Sequence, residues 1–388
     1  MEGKINYIMT NKRKNILLLA FLLLSLSLFS QQFKVATLNC EWLSCTEFGP
    51  TDEELQMNNI AQVILNVDAD IIALQEIGTS ASFATVNELV SILGSGWAGK
   101  IVPWNADNCS QNQAIIYKTS KVQSIGSSLI TDGGSNYAWS SGRYPVLYQV
   151  KFLTDEGEKE VWLINIHAKA YSDYTSYSRR LAASQSLKQL LDSGAYRTRR
   201  IVLIGDYNDY LVGTMCGSAN DSPYKNFMDD TQNFRGLTQG LYDTYWHSPV
   251  IDNIIISNEL FANYVANSAL RDVASTSSIY NYRYTTTDHY PISVLLQFGD
   301  YSDIDDIEDT PQITIFPNPT KDKLKIENGE LKINNVEILD VTGHAVGAMH
   351  ALPLQGNATI NVSALPQGIY ILKISTEKGI FIRKFVKK

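Results

Sequence analysis

The chain has 388 residues, more than one hydrophobic core usually accommodates, so we expect more than one domain. Its 44% of hydrophobic and 19% of charged residues are typical of a globular protein with a sizeable core. The formal net charge of −8 excludes attraction of nucleic acid by the overall field of the protein. Any phosphate-bearing substrate must therefore be held by a local patch of positive charge or by a metal ion.

The first 30 residues have the pattern of an export signal. Basic residues precede an apolar run of 14 residues, Ile16 to Phe29, and Ser30 follows as a small residue at the expected cleavage point. The run is shorter than the ~20 residues of a membrane span. A retained anchor is the alternative, and Met9 is a second candidate start. Export would place Cys40, Cys45, Cys109 and Cys216 in an oxidising compartment, so we expect one or two disulfides, with the pairing open.

Between residues 33 and 297, short apolar runs alternate with helical patterns. Helices are predicted over 51–67, with Thr51 or Asp52 as the cap, over 85–93 and over 178–191. Strands are predicted over 33–38, 70–74, 114–117, 146–150, 161–166, 201–204, 251–256 and 290–297. This alternation indicates an α/β or α+β sandwich.

The composition and the hydrophobic pattern of the sequence change after residue 299. Residues 300–311 are rich in acidic side chains and contain Pro311, which is typical of a self-repelling linker. Residues 312–388 contain short alternating runs separated by Asn, Gly and Pro, which predicts a small all-β sandwich.

The apolar run 201–204 ends at Gly205 and opens into Asp206-Tyr207-Asn208. On an extended strand end, residues two apart point to the same face, so Asp206 and Asn208 would lie side by side. A carboxylate beside a carboxamide can bind a hydrated cation and a phosphate oxygen. The alternative for this motif alone is a strand that runs into an Asx turn.

Polar residues recur at the ends of the other apolar runs. Taken singly, each has an ordinary structural explanation as a turn, surface or core residue. Taken together, they predict one cleft at which the strand ends converge. The set is Asn39, Glu76, His167, Asp206, Asn208, Asp252, Asp288 and His289.

The segments that carry these residues resemble the endonuclease/exonuclease/phosphatase superfamily, the DNase I-like fold, over residues 34–297. The resemblance implies a four-layer α/β sandwich that hydrolyses phosphoesters with Mg²⁺, or with Mn²⁺ or Ca²⁺. Glu76 in Leu-Gln-Glu would be the main metal ligand, with help from Asn39. Arg143 in Arg-Tyr-Pro matches a phosphate-contacting arginine of DNase-like members.

The resemblance also assigns catalytic roles. Asp206 and Asn208 would orient water and the scissile phosphate. His167 and His289 would act on the phosphate, with Asp252 orienting His289, and Asp288 belongs to the same motif, Asp-His-Tyr-Pro. The chain departs from the pattern before strand 113–117. There, residues 111–113 read Gln-Asn-Gln where DNase-like nucleases often have a glutamate that orients the first histidine, and Asp107 is off register. How His167 is held therefore stays open.

The substrate is indicated by the segment Asn165-Ile166-His167-Ala168-Lys169, which looks like a pattern of bacterial secreted nucleases. Lys169 could then hold a second phosphate. Four aromatic residues could stack on bases or could pack in the ordinary way: Trp42, Tyr171, Tyr174 and Tyr177. The predicted function is a secreted nuclease acting on DNA or RNA. The alternatives are a phosphomonoesterase or phospholipase C-type enzyme on the same fold, and a binding protein without catalysis.

Three segments of the last domain resemble the type IX secretion (Por) sorting domain. They begin at Ile315, Val336 and Leu365, and the domain ends in a basic tail. The resemblance implies contact with the type IX secretion machinery, a secreted or cell-surface location and no stable membrane insertion after processing. The alternative is a carbohydrate- or substrate-binding β-module. We therefore predict a signal peptide (1–30), a catalytic domain (31–299), a linker (300–311) and a sorting domain (312–388).

Overall fold

The structure is a computed structural model that describes residues 31–78, 84–105, 109–242, 244–245, 250–299, 314–327, 332–340, 345–349, 354–355, 358–376 and 379–388. The predicted signal peptide and acidic linker lie outside these residues, as do His247, His344 and His350. The chain divides into two compact units, the first of which ends at Gly299.

The first unit contains two six-stranded sheets. Its strands are β1 (Gln31–Leu43), β2 (Ile71–Ile77), β3 (Trp97–Ile101), β4 (Asn112–Lys118), β5 (Val122–Leu129), β6 (Val146–Thr154), β7 (Gly157–His167), β8 (Ile201–Asp206), β9 (Phe234–Gly236), β10 (Asp252–Ser257), β11 (Leu270–Arg271) and β12 (Ile292–Phe298). The strand orders are β11-β12-β1-β2-β4-β3 and β5-β6-β7-β8-β10-β9. Each sheet contains one parallel pair, β1 with β2 and β7 with β8, among antiparallel neighbours.

The sheets pack face to face, and helices cover their outer faces. Phe33 and Val35 of β1 point between the sheets, where they join buried residues of both. Their neighbours Ala36 and Leu38 point outward against the helices, as the two-residue period of a strand requires. These helices are α1 (Glu53–Val67) and α2 (Ala84–Leu93) on the first sheet, and α3 (Tyr174–Leu191) on the second. The predicted four-layer α/β sandwich is confirmed.

The helix starts follow local capping. Asp52 caps α1, as predicted, because its carboxylate accepts the N–H of Leu55 at 3.0 Å. Helix α3 begins at Tyr174, four residues before the predicted start, because Asp173 accepts the N–H of Ser176 at 3.0 Å. Two further helices are one turn long, α4 (Lys225–Met228) and α5 (Tyr282–Thr285).

A buried polar network joins the two sheets. Gln75 Nε2 of β2 donates to Oδ1 of Asn165 in β7 at 2.7 Å. The amide of Asn165 in turn donates to the carbonyls of Leu74 and Ala114, at 3.0 and 3.1 Å. Because an unpaired buried amide is costly, these contacts favour one placement of the sheets over all others. The network lies next to the strand ends that carry Glu76 and His167.

One disulfide is present among the described residues, between Cys45 and Cys109. It joins the loop after β1 to the segment before β4. Cys40 and Cys216 are buried as free thiols. In the part of the chain that the structure describes, no helix is long and apolar enough to cross a membrane.

The second unit is built from short antiparallel strands. They are β13 (Thr314–Phe316), β14 (Lys323–Glu327), β15 (Lys332–Leu339), β16 (Ala345–Met349), β17 (Leu354–Gln355), β18 (Ala358–Asn361), β19 (Gly368–Thr376) and β20 (Gly379–Lys387). They form a three-stranded and a five-stranded sheet around buried residues such as Leu324, Leu372 and Phe385. The predicted small all-β fold is confirmed.

Gly205, at the end of β8, allows a sharp test of this packing. Its φ is +137°, and an added Cβ would lie 2.1 Å from the carbonyl oxygen of Ile166. We expect Gly205→Ala to lower the free energy of unfolding by about 2–4 kcal/mol, because a backbone atom must move and an L-residue is strained there. Urea unfolding followed by circular dichroism measures this change.

Gly194 is the matched control, since its φ is ordinary and nothing lies within 4 Å of an added Cβ. Gly194→Ala should change the free energy by no more than about 0.5 kcal/mol. Equal unfolding midpoints for the two variants would contradict the close backbone contact described at Gly205.

Candidate active site

Strand direction brings the predicted polar residues to one edge of the sandwich. The carboxyl ends of the parallel strands β1 and β2 carry Asn39 and Glu76, and those of β7 and β8 carry His167 and Asp206. Asp206 lies opposite His167 on one side and opposite Asp252, the first residue of antiparallel β10, on the other. The structure thus brings side chains from six segments of the chain into one site.

The Glu76 and Asp206 carboxylates, which come from different sheets, converge on the same two nitrogen atoms. Asn39 Nδ2 donates to Glu76 Oε1 at 3.2 Å and to Asp206 Oδ2 at 3.0 Å. His167 Nε2 lies 3.4 and 3.5 Å from those same oxygens. Glu76 reaches this position because its backbone turns into the left-handed region at φ 59°.

The charges of this group favour a cation. Burial, and next the Asp252 carboxylate, raise the pKa of Asp206 to about 7. Burial, and next the Arg143 guanidinium, hold the pKa of His167 well below its usual value, so the ring between the carboxylates is neutral. Among the described residues, no Lys or Arg contacts either carboxylate. Two converging oxygen ligands that no described Lys or Arg contacts directly fit a hard divalent cation.

Asn39 holds the two carboxylates together by its amide nitrogen. Its oxygen, the atom that could bind a metal, accepts the N–H of Glu41 at 3.0 Å. A second set of possible ligand atoms, on Asp206, Asp252 and His289, lies within 4.8 Å of one another. In that set the Nδ1 atom of His289 already contacts Asp252, and Asp206 belongs to both sets.

His289 is held in the opposite charge state from His167. Its Nδ1 lies 3.1 and 2.9 Å from the two carboxylate oxygens of Asp252, and Asp288 lies 3.8 Å from Nε2. Burial works against the charged ring, but the Asp252 carboxylate outweighs it with the help of further acids and raises the pKa of His289 to about 10. One site therefore contains a neutral and a protonated imidazole.

The Asp206-Tyr207-Asn208 motif differs from the predicted extended strand end. Asn208 has φ 49°, and its N–H donates to Asp206 Oδ1 at 2.8 Å, which closes an Asx turn. The side chains still meet, because Asn208 Nδ2 donates to Asp206 Oδ2 at 3.0 Å. The prediction of an extended end was wrong, whereas the pairing of the two side chains was right.

Arg143 lines the cleft, but its donors face the protein. Nε donates to the carbonyl of His167 at 3.0 Å, Nη2 donates to that of Ala168 at 2.9 Å, and Nη1 bonds the side chain of Gln111. Gln111 thus fixes Arg143 rather than a histidine. His167 Nδ1 is buried and has no hydrogen-bond partner within the described ranges, which leave out Asp107.

Glu41, Tyr245 and Arg179 also line the cleft, and none of the three was predicted as a site residue from the sequence. Burial, and next Asp288, raise the pKa of Glu41 to about 7, and its carboxylate accepts the N–H of Asp288 at 2.9 Å. Its position two residues after Asn39 in one strand was a usable signal. Tyr245 packs its ring 4.9 Å from that of His289, and no local pattern marked it.

The cleft has a volume of about 950 Å³ and a cationic side. Lys169, Arg143 and Arg179 line it together with the acidic and histidine residues. Within the described part of the chain, none of these three cations contacts a carboxylate. In a protein with net charge −8, three cations beside one cleft without a described carboxylate partner favour an anion there.

This fold agrees with the comparisons with known proteins. Residues 36–289 match the model of the Endonuclease/Exonuclease/phosphatase family, more than half of the chain, so the protein belongs to that family. Residues 314–388 match the secretion system C-terminal sorting domain. Such a domain indicates type IX secretion to the cell surface or beyond. Both predicted resemblances are confirmed. The comparison with curated proteins gives no match.

Three solved structures are similar to this chain, and the first of them supports the fold. The human Nocturnin catalytic domain with bound sulfate is 19% identical, with a TM-score of 0.50 over 69% of this chain and 94% of that one. An endonuclease/exonuclease/phosphatase from Beutenbergia cavernae is 13% identical, with a TM-score of 0.49 over 92% and 100%. A mannosyl-6-phosphatase from Bacteroides thetaiotaomicron is 15% identical, with a TM-score of 0.45 over 68% and 99%.

The charge state of His289 can be tested directly. Since its pKa of about 10 exceeds the ordinary 6.5, its contribution to stability is complete below pH 6.5 and is lost as the pH rises through about 10. We expect Asp252→Asn to shift the titration of the His289 ring, followed by NMR, down by more than one pH unit. Asp288→Asn, which removes the more distant carboxylate, should shift it less. A larger shift in Asp288→Asn would contradict the pairing with Asp252.

Proposed function

We propose that the protein is a secreted, divalent-cation-dependent phosphodiesterase that hydrolyses nucleic acid, DNA or RNA, outside the cell. Mg²⁺ is the cation we expect, with Mn²⁺ or Ca²⁺ as alternatives. One observation carries the proposal. The converging carboxylates of Glu76 and Asp206 share a cleft with three cations, Lys169, Arg143 and Arg179, that have no carboxylate partner within the described ranges. That combination suits a substrate with several phosphates.

A divalent cation would be held by the carboxylate oxygens of Glu76 and Asp206, which the amide nitrogen of Asn39 holds together. When bound, a divalent cation neutralises charge on the phosphate and lowers the pKa of a bound water. Metal and positioning together supply most of the rate, because a phosphodiester repels nucleophiles.

The remaining residues have complementary tasks. Asp206 accepts the proton of the attacking water, and Asn208 keeps this carboxylate oriented. The new P–O bond forms to that water as the P–O bond to the leaving nucleoside oxygen breaks, and this oxygen takes up a proton from solvent water. Protonated His289, oriented by Asp252, donates a hydrogen bond to the phosphate oxygen on which charge builds. Neutral His167 lies beside both carboxylates and positions the phosphate.

Location follows from the sorting domain. Export by the type IX machinery would place the enzyme at the outer surface or in the medium, where free nucleic acid is a source of phosphate and bases. Lys169 would hold a phosphate next to the scissile one, because its ammonium group lines the same cleft.

Turnover on plasmid DNA, RNA, a phosphomonoester and a lipid phosphodiester tests the proposal. With Mg²⁺, we expect degradation of nucleic acid that EDTA abolishes and that added Mg²⁺ restores. Glu76→Gln, which keeps the shape and removes the charge, should lower kcat by at least ~10²-fold, and His167→Ala should do so by ~10²–10⁴-fold.

Glu54→Gln is the matched control, because Glu54 is exposed on α1 away from the cleft. It should leave turnover unchanged. Metal-dependent turnover of the monoester or lipid alone would overturn the nuclease assignment. Turnover that resists both EDTA and Glu76→Gln would overturn the metal site.

A further inference from the structure

Three tyrosines beside the cleft have one face covered and most of the ring exposed. Tyr171, 72% exposed, has the Lys169 ammonium 4.3 Å from its ring centre. Tyr137, 59% exposed, has the Arg179 guanidinium at 4.2 Å. Tyr174, 59% exposed, stacks on the buried ring of Tyr177, with centroids 5.9 Å apart at 29°. Each tyrosine ring thus packs against another side chain and remains largely exposed to solvent.

The cations that pack against Tyr171 and Tyr137 are themselves held in place by hydrogen bonds. Arg180 and Asp209 form a fully buried ion pair, with Nη2 and Oδ2 2.7 Å apart. The other terminal nitrogen of Arg180 donates to the carbonyls of Lys169 and Tyr171, at 2.7 and 2.8 Å. Arg180 therefore holds the loop that carries the Lys169 ammonium group and the Tyr171 ring.

Tyr171 has φ 79°, a conformation that a bulky residue rarely adopts. Its ring gains little from packing, since it is mostly exposed. The buried Arg180–Asp209 pair therefore maintains an unfavourable backbone to present a ring to solvent, and such strain is commonly found at ligand sites. The Arg179 side chain is held by a hydrogen bond to the backbone, because its Nε donates to the carbonyl of Tyr137 at 2.7 Å.

The rings of Tyr171 and Tyr137 pack against cations at the edge of a cleft that suits phosphate. This combination suits a ligand with flat aromatic faces and negative charge. Unpaired bases offer such faces and stack on aromatic side chains at ~1–3 kcal/mol each. In a duplex, neighbouring bases already cover one another. Lipid and sugar phosphates carry no aromatic plane.

We propose that Tyr137, Tyr171 and Tyr174, with Lys169 and Arg179, form a subsite for an unpaired stretch of nucleic acid, so that the enzyme prefers single strands. This inference rests on the proposed function, because it names the form of the substrate that the same cleft binds. The tyrosines stack on bases, and the two cations hold the backbone between them.

Fluorescence anisotropy with the full chain in EDTA tests the subsite without cleavage. The probes are a labelled oligodeoxynucleotide of about 12 nucleotides, the same strand annealed to its complement, and an abasic strand of equal length. We expect the single strand to bind at least ~10-fold more tightly than the duplex. Tyr171→Leu, Tyr137→Leu and Tyr174→Leu should each weaken single-strand binding by about 5- to 150-fold.

The abasic strand separates stacking from charge. The tyrosine variants should bind it as the unaltered protein does, whereas Lys169→Gln should weaken the binding of both strands. Tyr280→Leu is the control, because Tyr280 is 90% exposed and does not line the cleft. Duplex binding as tight as single-strand binding would overturn the inference, and so would tyrosine variants that behave like Tyr280→Leu.

Cleavage of the abasic strand with Mg²⁺ distinguishes the two proposals. If that strand is cleaved and the single strand is not preferred, the subsite is overturned and the phosphodiesterase stands. If the single strand binds through the tyrosines but neither strand is cleaved, the proposed function is overturned and the subsite stands.

Discussion

The approach of two carboxylates from different sheets is the constraint on which the site depends. Glu76 and Asp206 contact the same nitrogen atoms, of Asn39 and His167, in a buried position where like charges repel strongly. A small slide of one sheet over the other would separate them. The hydrogen bond between Gln75 and Asn165, just beneath, opposes that slide because breaking it would leave buried amides unpaired.

Around this point, contacts rather than residue types set the chemistry. The two histidines share a reference pKa, yet one is neutral and the other charged. His289 has the Asp252 carboxylate within 3.1 Å of Nδ1, whereas His167 has a buried Nδ1 and the Arg143 guanidinium nearby. Pairs of groups with opposite protonation states are what acid–base catalysis requires. The same site thus combines a neutral and a protonated imidazole at neutral pH.

The positive side of the cleft shows how an acidic protein can bind an acidic substrate. The net charge of −8 describes the far field, but Lys169 and Arg179 act within the cleft, where screening is weaker. The position of Lys169 depends on the buried Arg180–Asp209 pair, whose side chains make no contact with solvent, whereas Arg179 is held by the carbonyl of Tyr137. Losing one member of such a pair leaves an uncompensated buried charge. The loop and its cation are thereby coupled to the packing of α3.

The sequence by itself determined the family, the layered fold and most residues of the site, because polar groups that end apolar runs are a local pattern. It missed β3 and β5, since Trp97–Ile101 and Val122–Leu129 contain glycine, serine or lysine in place of apolar residues. Only the tertiary structure decided that Arg143 faces carbonyls, that Asp206 closes an Asx turn, and which histidine is charged. Asn39 and Asp206 are 167 residues apart in the sequence. Charge states and shared contacts follow from packing across such separations, and no local pattern encodes them.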